Sequence, residues 1–434
     1  MLQSLFWSEI SAAICLLSIL LVPLAVAGLA LTNNGLGKTR SAAHAMLASM
    51  CVVAVAALVY IAIGFSWEGF AGRSAHVAII GGKPWDWIAA QPFFLRGLEL
   101  NNSPASLAAL LQMFTVGIAA MIPLGAVADR WRLGAICAST AVMSGWTYPL
   151  FAHWVWGGGW LSQLGAIYGL GHGFIDTGGA GTIHAVGGLT ALAVVWIIGP
   201  RSGKYSDDGM PAGIPGHNLV HVVFGCILAW VGWIGLNNAG AMLFGGTPPA
   251  GLVLVGINTT LCAAGSALVA VIVTKIRFGR PDASISANGW MGGLVASSAA
   301  TALISPAVAI MIGLVTGILV ALSVECLEMY LRLDDPGGAV PSHAVAGLWG
   351  LLAAGIFASI RTGGAPGQWL AQLIGIATLI GFVLPMTYGL NWVLNRLIPY
   401  RVDSGGERQG MDLHELGAGA YPEFMVHSDD FIQR

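Results

Sequence analysis

Long apolar runs, each about the length a helix needs to cross a bilayer, alternate along this chain with short polar connections. A spanning helix takes about 20 mostly apolar residues. Eleven runs meet that measure: 10–31, 43–65, 105–128, 134–155, 178–199, 217–243, 252–275, 286–303, 306–331, 341–360 and 368–396. The eighth and ninth are parted only at Ser305 and Pro306. The first run is read as a retained helix and not a cleaved signal peptide, because no Lys or Arg precedes it and it exceeds a usual signal core. The pattern predicts an all-α integral membrane protein with a membrane domain over 1–398 and a polar tail over 399–434. The longest other polar piece is the stretch 66–104.

Eleven spans place the two termini on opposite sides, and the basic residues test that count. Alternate connections hold Lys38 and Arg40, Arg130 and Arg132, Arg201 and Lys204, then Lys275, Arg277 and Arg280, then Arg332, with Arg396, Arg401, Arg408 and Arg434 towards the tail. The other connections hold only Arg73, Lys83, Arg96 and Arg361. Positive charge collects on the cytoplasmic side, so the N-terminus is expected outside and the tail inside, with the chain in the cell (inner) membrane.

Composition narrows the class further: 56% of residues are hydrophobic and 9% charged, far from the balance of a water-soluble domain. A net charge of -2 gives no basic field, which excludes nucleic acid as a partner. Cys15, Cys51, Cys137, Cys226, Cys262 and Cys326 sit in apolar runs without CxxC spacing and read as small core residues. The 61 glycines suit helices packed closely where lipid surrounds them.

One pattern occurs twice. Asp176-Thr177-Gly178-Gly179 leads to His184-Ala185-Val186-Gly187-Gly188, and Asp335-Pro336-Gly337-Gly338 leads to His343-Ala344-Val345-Ala346-Gly347. In both, Asp precedes His by eight residues, a little over two helical turns. On the predicted topology the first copy enters the membrane from outside and the second from inside, as an inverted repeat requires, and such repeats put the transport site near the midplane. A lone histidine in an apolar helix is ordinarily a satisfied core residue. Two at matching positions, where ionisable groups are costly, mark a substrate or proton path. Asp176 and Asp335 fit capping of helix N-termini. His217 and His221 could supply two ligands from one helix face, but no third ligand stands nearby and a role at the helix entry is expected. His172 is expected to be solvated, and Glu325 and Glu328 to lie near the cytoplasmic interface. No nucleophile motif, phosphate loop or Cys/His cluster is present, so neither an enzyme nor a cofactor is implied.

Trp156-Gly157-Gly158-Gly159-Trp160, the segment from Asp176 to Arg201, Gly216-His217-Asn218-Leu219, Gly232-Trp233-Ile234-Gly235-Leu236-Asn237, Asp334-Asp335-Pro336 to His343, and the tail from Gly410 to Tyr421 resemble the ammonium transporter (Amt/Mep/Rh) family in order and spacing. The resemblance implies two inverted five-helix repeats plus a C-terminal eleventh helix, assembled as a homotrimer with one pore per subunit. It implies that His184 and His343 line the pore, that Trp156 offers its face to a recruited cation, and that Asp176 supports the external vestibule. Trp233, Leu236 and Asn237 fall beside the pore; Trp154 and Trp160 read as interfacial belt residues. The substrate implied is ammonium or ammonia, with methylammonium as an analogue, and a P-II regulatory protein is a possible cytoplasmic partner.

The sequence departs from the family at the external mouth. The family stacks two phenylalanines there, one three residues after the glutamine of the third span and one before the asparagine of the sixth. Here Phe114, expected with Trp156 and Asp176 at the recruitment site, comes two residues after Gln112, Leu236 takes the second place, and Asn238 to Ala241 lack the recruitment serine. A leucine plug loses a cation-stabilising ring face, which bears on affinity and not on conduction. Two rival readings follow: an ammonium sensor with little flux, and an Rh-like neutral gas channel.

Overall fold

The computed structural model describes residues 7–70, 75–358 and 366–421. Arg73, Arg361 and Arg434, used above to weigh the charge balance, lie outside them. Nine helices among the described residues are long and apolar enough to span: α1 Glu9–Leu36, α2 Thr39–Glu68, α3 Pro104–Ala126, α5 Ala180–Ile198, α6 Leu219–Leu243, α7 Pro249–Phe278, α9 Pro306–Met329, α10 Val340–Ala358 and α11 Gln368–Leu397. Two further predicted runs are helical but broken or short. The run at 134–155 becomes α4, in which Leu133–Val142 passes through a π turn at Met143–Thr147 into Tyr148–Val155. The run at 286–303 becomes α8, Ala283–Ser297, ended by a turn and a 3-10 segment at Thr301–Leu303. Several starts are set by side-chain oxygens: Ser8, Ser103, Asn218, Asp282 and Ser305 each accept from a backbone N–H three residues on.

The helices α1 and α6 form the most extensive helix contact among the described residues. It is made by glycine. A methyl group at Gly28 would lie 2.5 Å from the Ala229 nitrogen, and one at Gly232 would lie 2.1 Å from the Ala25 nitrogen. Backbone therefore touches backbone along this seam, the packing that small residues permit where lipid offers no hydrophobic drive between helices.

The polar stretch 66–104 is more structured than its composition suggests. Ala75–Ile80 (β1) and Lys83–Ala89 (β2) form an antiparallel hairpin turned by Gly81 and Gly82, both at positive φ. Trp85 and Trp87 of β2 pack with Trp160, and Trp87 meets Trp154 edge to face. Trp154 is buried, with its indole N–H donating to the Trp87 carbonyl at 2.7 Å. Its expected place in a lipid-facing belt is thus corrected: it anchors the hairpin.

The connections that the charge pattern puts on one side do meet on one face. Arg201 bonds both carboxylate oxygens of Asp334 at 2.9 and 3.0 Å and Asp129 at 3.1 Å. The tail joins them. Val402 donates to the Arg130 carbonyl, Glu407 accepts from the Ser202 amide at 2.6 Å, and Asp412 accepts from the His44 amide at 2.8 Å. Glu328 pairs with Lys204 and Glu325 with Arg277, both near the ends of their helices. Cys326 is exposed, unlike the core residue expected, because it lies on the outer face of α9.

Candidate functional site

Each histidine of the repeated pattern lies in a π turn, His184 in Ala180–Ala185 and His343 in Val340–Val345. Single π turns inside α-helices recur at functional sites, where the extra residue re-aims side chains. The acid upstream holds each turn. One oxygen of Asp176 accepts from the amides of Gly181 (3.0 Å) and Thr182 (2.7 Å) and from the Thr182 hydroxyl (2.8 Å). Asp335 divides its oxygens between the amides of Ala339 (3.0 Å) and Val340 (2.8 Å). Both acids act as caps.

The two helices cross at the glycine four residues beyond each histidine. A methyl group on Gly188 would stand 2.3 Å from the Ala344 nitrogen, and one on Gly347 would stand 2.4 Å from the Ala180 carbonyl oxygen. That reciprocal approach brings the imidazoles to 5.4 Å between centroids at an angle of 33°. His184 also stacks on Trp233, 4.7 Å away and 13° from parallel, and the Trp233 indole donates to Ser298. Both histidines are buried. Neither nitrogen of His184 nor Nδ1 of His343 has a hydrogen-bond partner among the described residues. Leaving such atoms unpaired in a dry interior is costly, so the pair is a candidate site for a small group able to use those lone pairs and N–H groups.

Below His343 lies a cavity of about 10 Å³, room for roughly one water, lined in part by Thr32, Asn33, Asn288 and Ser342. Asn288 also lines a vestibule of about 730 Å³ on the face bearing Arg201, Asp334 and Asp335. At the opposite end, the Trp156 indole donates to the Asp176 carbonyl at 2.7 Å and its ring lies against Phe244. Asn237 is buried and its amide donates to Thr259 and Ser297.

Residues 13–421 match the sequence profile of the Ammonium Transporter Family. The chain belongs to the ammonium transporter family. It is 35% identical over 416 residues to the ammonium transporter Amt2 of Archaeoglobus fulgidus, covering 92% of this chain and 85% of that protein. It is 31% identical to an ammonium transporter of Bacillus subtilis, over 94% of this chain and 97% of the relative. Among solved structures, one titled Sensor Amt Protein superposes with a TM-score of 0.84 at 28% identity, covering 94% of this chain and 98% of that one. Candida albicans Mep2 shares the fold, with a TM-score of 0.79 at 22% identity.

Within this ammonium transporter, a methyl group on Gly240 would lie 2.1 Å from the Thr177 carbonyl oxygen, so the Asp176 loop lies flat on α6 there and leaves no room for a side chain at that position. Thr115, three residues after Gln112, is buried and bonds the Tyr148 hydroxyl at 2.7 Å. Phe114 is half-buried on another face of α3 and Leu236 is buried. The loop between Gly159 and Asp176 docks on α11: Gln368 accepts from the His172 amide, and Gln372 both accepts from and donates to the Ile175 backbone. His172 itself is exposed. His217 and His221 reach Gly37 and Asn34, linking the start of α6 to the end of α1, and no group of three potential metal ligands occurs among the described residues.

Two residues escaped sequence reasoning. Glu68 is fully buried and bonds the Tyr60 hydroxyl at 2.8 Å, which extends α2 past its apolar run; a carboxylate eight residues after a tyrosine was the available signal. Phe244 had no local signal at all, since its partner is far away in sequence.

The capping role of Asp176 predicts opposite outcomes for two substitutions. Asp176→Asn keeps an oxygen acceptor and is expected to melt close to the unaltered protein in detergent. Asp176→Ala orphans buried donors at about 1–3 kcal/mol each and is expected to melt distinctly lower. Equal Tm values would remove the capping role.

Proposed function

We propose that ammonium is recruited at the external mouth beside Trp156, sheds its proton as it is desolvated, and crosses as ammonia past His184 and His343. The observation that carries this reading is the buried, facing imidazole pair with three nitrogens that no group among the described residues satisfies. Moving an intact small cation through such a segment costs several kcal/mol or more, whereas desolvation favours the neutral amine. Potassium has no proton to shed and is excluded. Asp176 holds the outer turn, and Trp233 fixes the tilt of His184.

The same reading takes the chain as eleven spans in two inverted five-helix repeats plus a final helix, N-terminus out and tail in, in the cell inner membrane as a homotrimer. The stitched tail offers a face for a P-II protein. Capture of a P-II protein by the full chain, and not by one cut after residue 398, supports that partner; no capture with either nucleotide removes it.

The test of the main reading is an ammonium jump on a solid-supported membrane, with potassium as the control ion. A transient current evoked by ammonium alone means that the proton is relayed. Internal alkalinisation without current means that ammonia crosses by itself. A second reading, a sensor that binds ammonium with little flux, is favoured by the altered mouth and by the superposition on a protein titled Sensor Amt Protein. Ammonium binding with neither current nor alkalinisation selects it.

A further inference from the structure

Phe244 follows the last turn of α6, and its ring lies 3° from parallel with the Trp156 indole at 4.3 Å between centroids. Parallel rings at this spacing cover one face of each other. Trp156 as a whole is 6% exposed, so the indole face on that side is closed to a cation. The indole is held in place by its hydrogen bond to the Asp176 carbonyl, in the loop that caps the His184 turn.

Phe244 is held less firmly. It is half-buried, makes no second ring contact among the described residues, and is followed by Gly245 and by Gly246 at φ 63°. Glycine in that region allows the chain to pivot beside the ring. Among the described residues no other ring contacts the Trp156 indole: Thr115 is tied to Tyr148, and Leu236 is aliphatic.

We propose that Phe244 is the movable outer gate of this pore and decides which amines reach the Trp156 face. The inference rests on the recruitment step of the proposed function. With the gate closed, the phenyl ring occupies the indole. A cation gains that face when the ring swings away, exchanging a ring–ring contact for a cation–π contact of the same order. The ring therefore competes with ammonium and raises the concentration needed to fill the site. A bulkier amine needs a wider swing, so the gate also favours ammonium over methylammonium.

The experiment compares the unaltered protein with Phe244→Ala and Phe244→Leu in liposomes, measuring half-saturating ammonium and the ratio of methylammonium to ammonium uptake. Phe244→Ala is expected to lower half-saturation about fivefold, as release of a cation–π face would, and to raise the methylammonium ratio. Phe244→Leu, which keeps bulk without a π face, is expected to fall between. Unchanged half-saturation and ratio in both variants, each melting like the parent, would overturn the gate. A second measurement needs no flux: the methylammonium concentration giving half the maximal rise in Tm. A lower value in Phe244→Ala supports the gate even if the parent protein moves no ammonium, an outcome that removes the transport reading alone. Identical values overturn the gate whether or not transport occurs.

Discussion

Exchanging His343 for alanine is expected to reduce the ammonium-evoked current in proteoliposomes about 100-fold, the lower range for a positioned proton-transfer group. His343 stands between the His184 ring and the small polar cavity that leads towards the vestibule. Without its imidazole, no titratable ring among the described residues stands between the His184 ring and that cavity to pass a proton on. Alkalinisation should persist in the variant if ammonia alone can cross the enlarged gap. Current and alkalinisation lost together, in a protein that still melts normally, would mean that the ring shapes the path for ammonia and does not relay protons. Current undiminished by the substitution would exclude the histidine relay.

The largest expected loss of stability comes from the other end of the molecule. Arg201→Ala removes the fork that grips Asp334 and the contact to Asp129, leaving two buried carboxylates with Arg130 as their remaining buried cation. Removing one partner of a buried pair costs about 3–5 kcal/mol. Arg201→Lys should recover only part of that, since an ammonium cannot fork. Burial pushes the Asp334 carboxyl up, but its bonds to Arg201 and the charge of Arg130 outweigh burial and hold it below the usual carboxylate range. A depressed folded pKa adds stability above the ordinary value of about 3.9 that is lost as pH falls through the lower folded value. The deficit of Arg201→Ala in Tm should therefore be largest at neutral pH and shrink in acid, as the carboxyl left unpaired in the variant takes up a proton before the paired one in the parent does. A Tm matching the parent at neutral pH would show that the cluster contributes nothing net.

Much of this could be read from the chain alone because the deciding signals are local. An apolar run of span length predicts a helix wherever it occurs, and an Asp eight residues before a His is visible twice without any fold. The glycine four residues beyond each histidine was visible too, but its part in the crossing of α5 and α10 was not, since that depends on which helices meet. The hairpin had its own signal, Gly81-Gly82 between Ala75–Ile80 and the Trp85-Asp86-Trp87 alternation, obscured by the polar character of the whole stretch. Trp154 was misjudged because an indole near a membrane surface suits a belt or a buried cluster equally, and only the hairpin decides. The stack of Trp156 on Phe244 joins residues from the ends of α4 and α6, and no window along the sequence contains both.

The glycine seam between α1 and α6 also limits how the protein can move. Carriers that work by alternating access rock one half against the other, which requires an interface able to slide or part. Here main-chain atoms of α1 and α6 already touch at Gly28 and Gly232, so tilting one helix into the other drives backbone into backbone. Packed interiors resist such compression. On the proposed mechanism the wall stays still while the passenger changes its protonation, and the temperature dependence of transport should then follow the chemistry of losing and regaining a proton and not the slow reorientation of a domain.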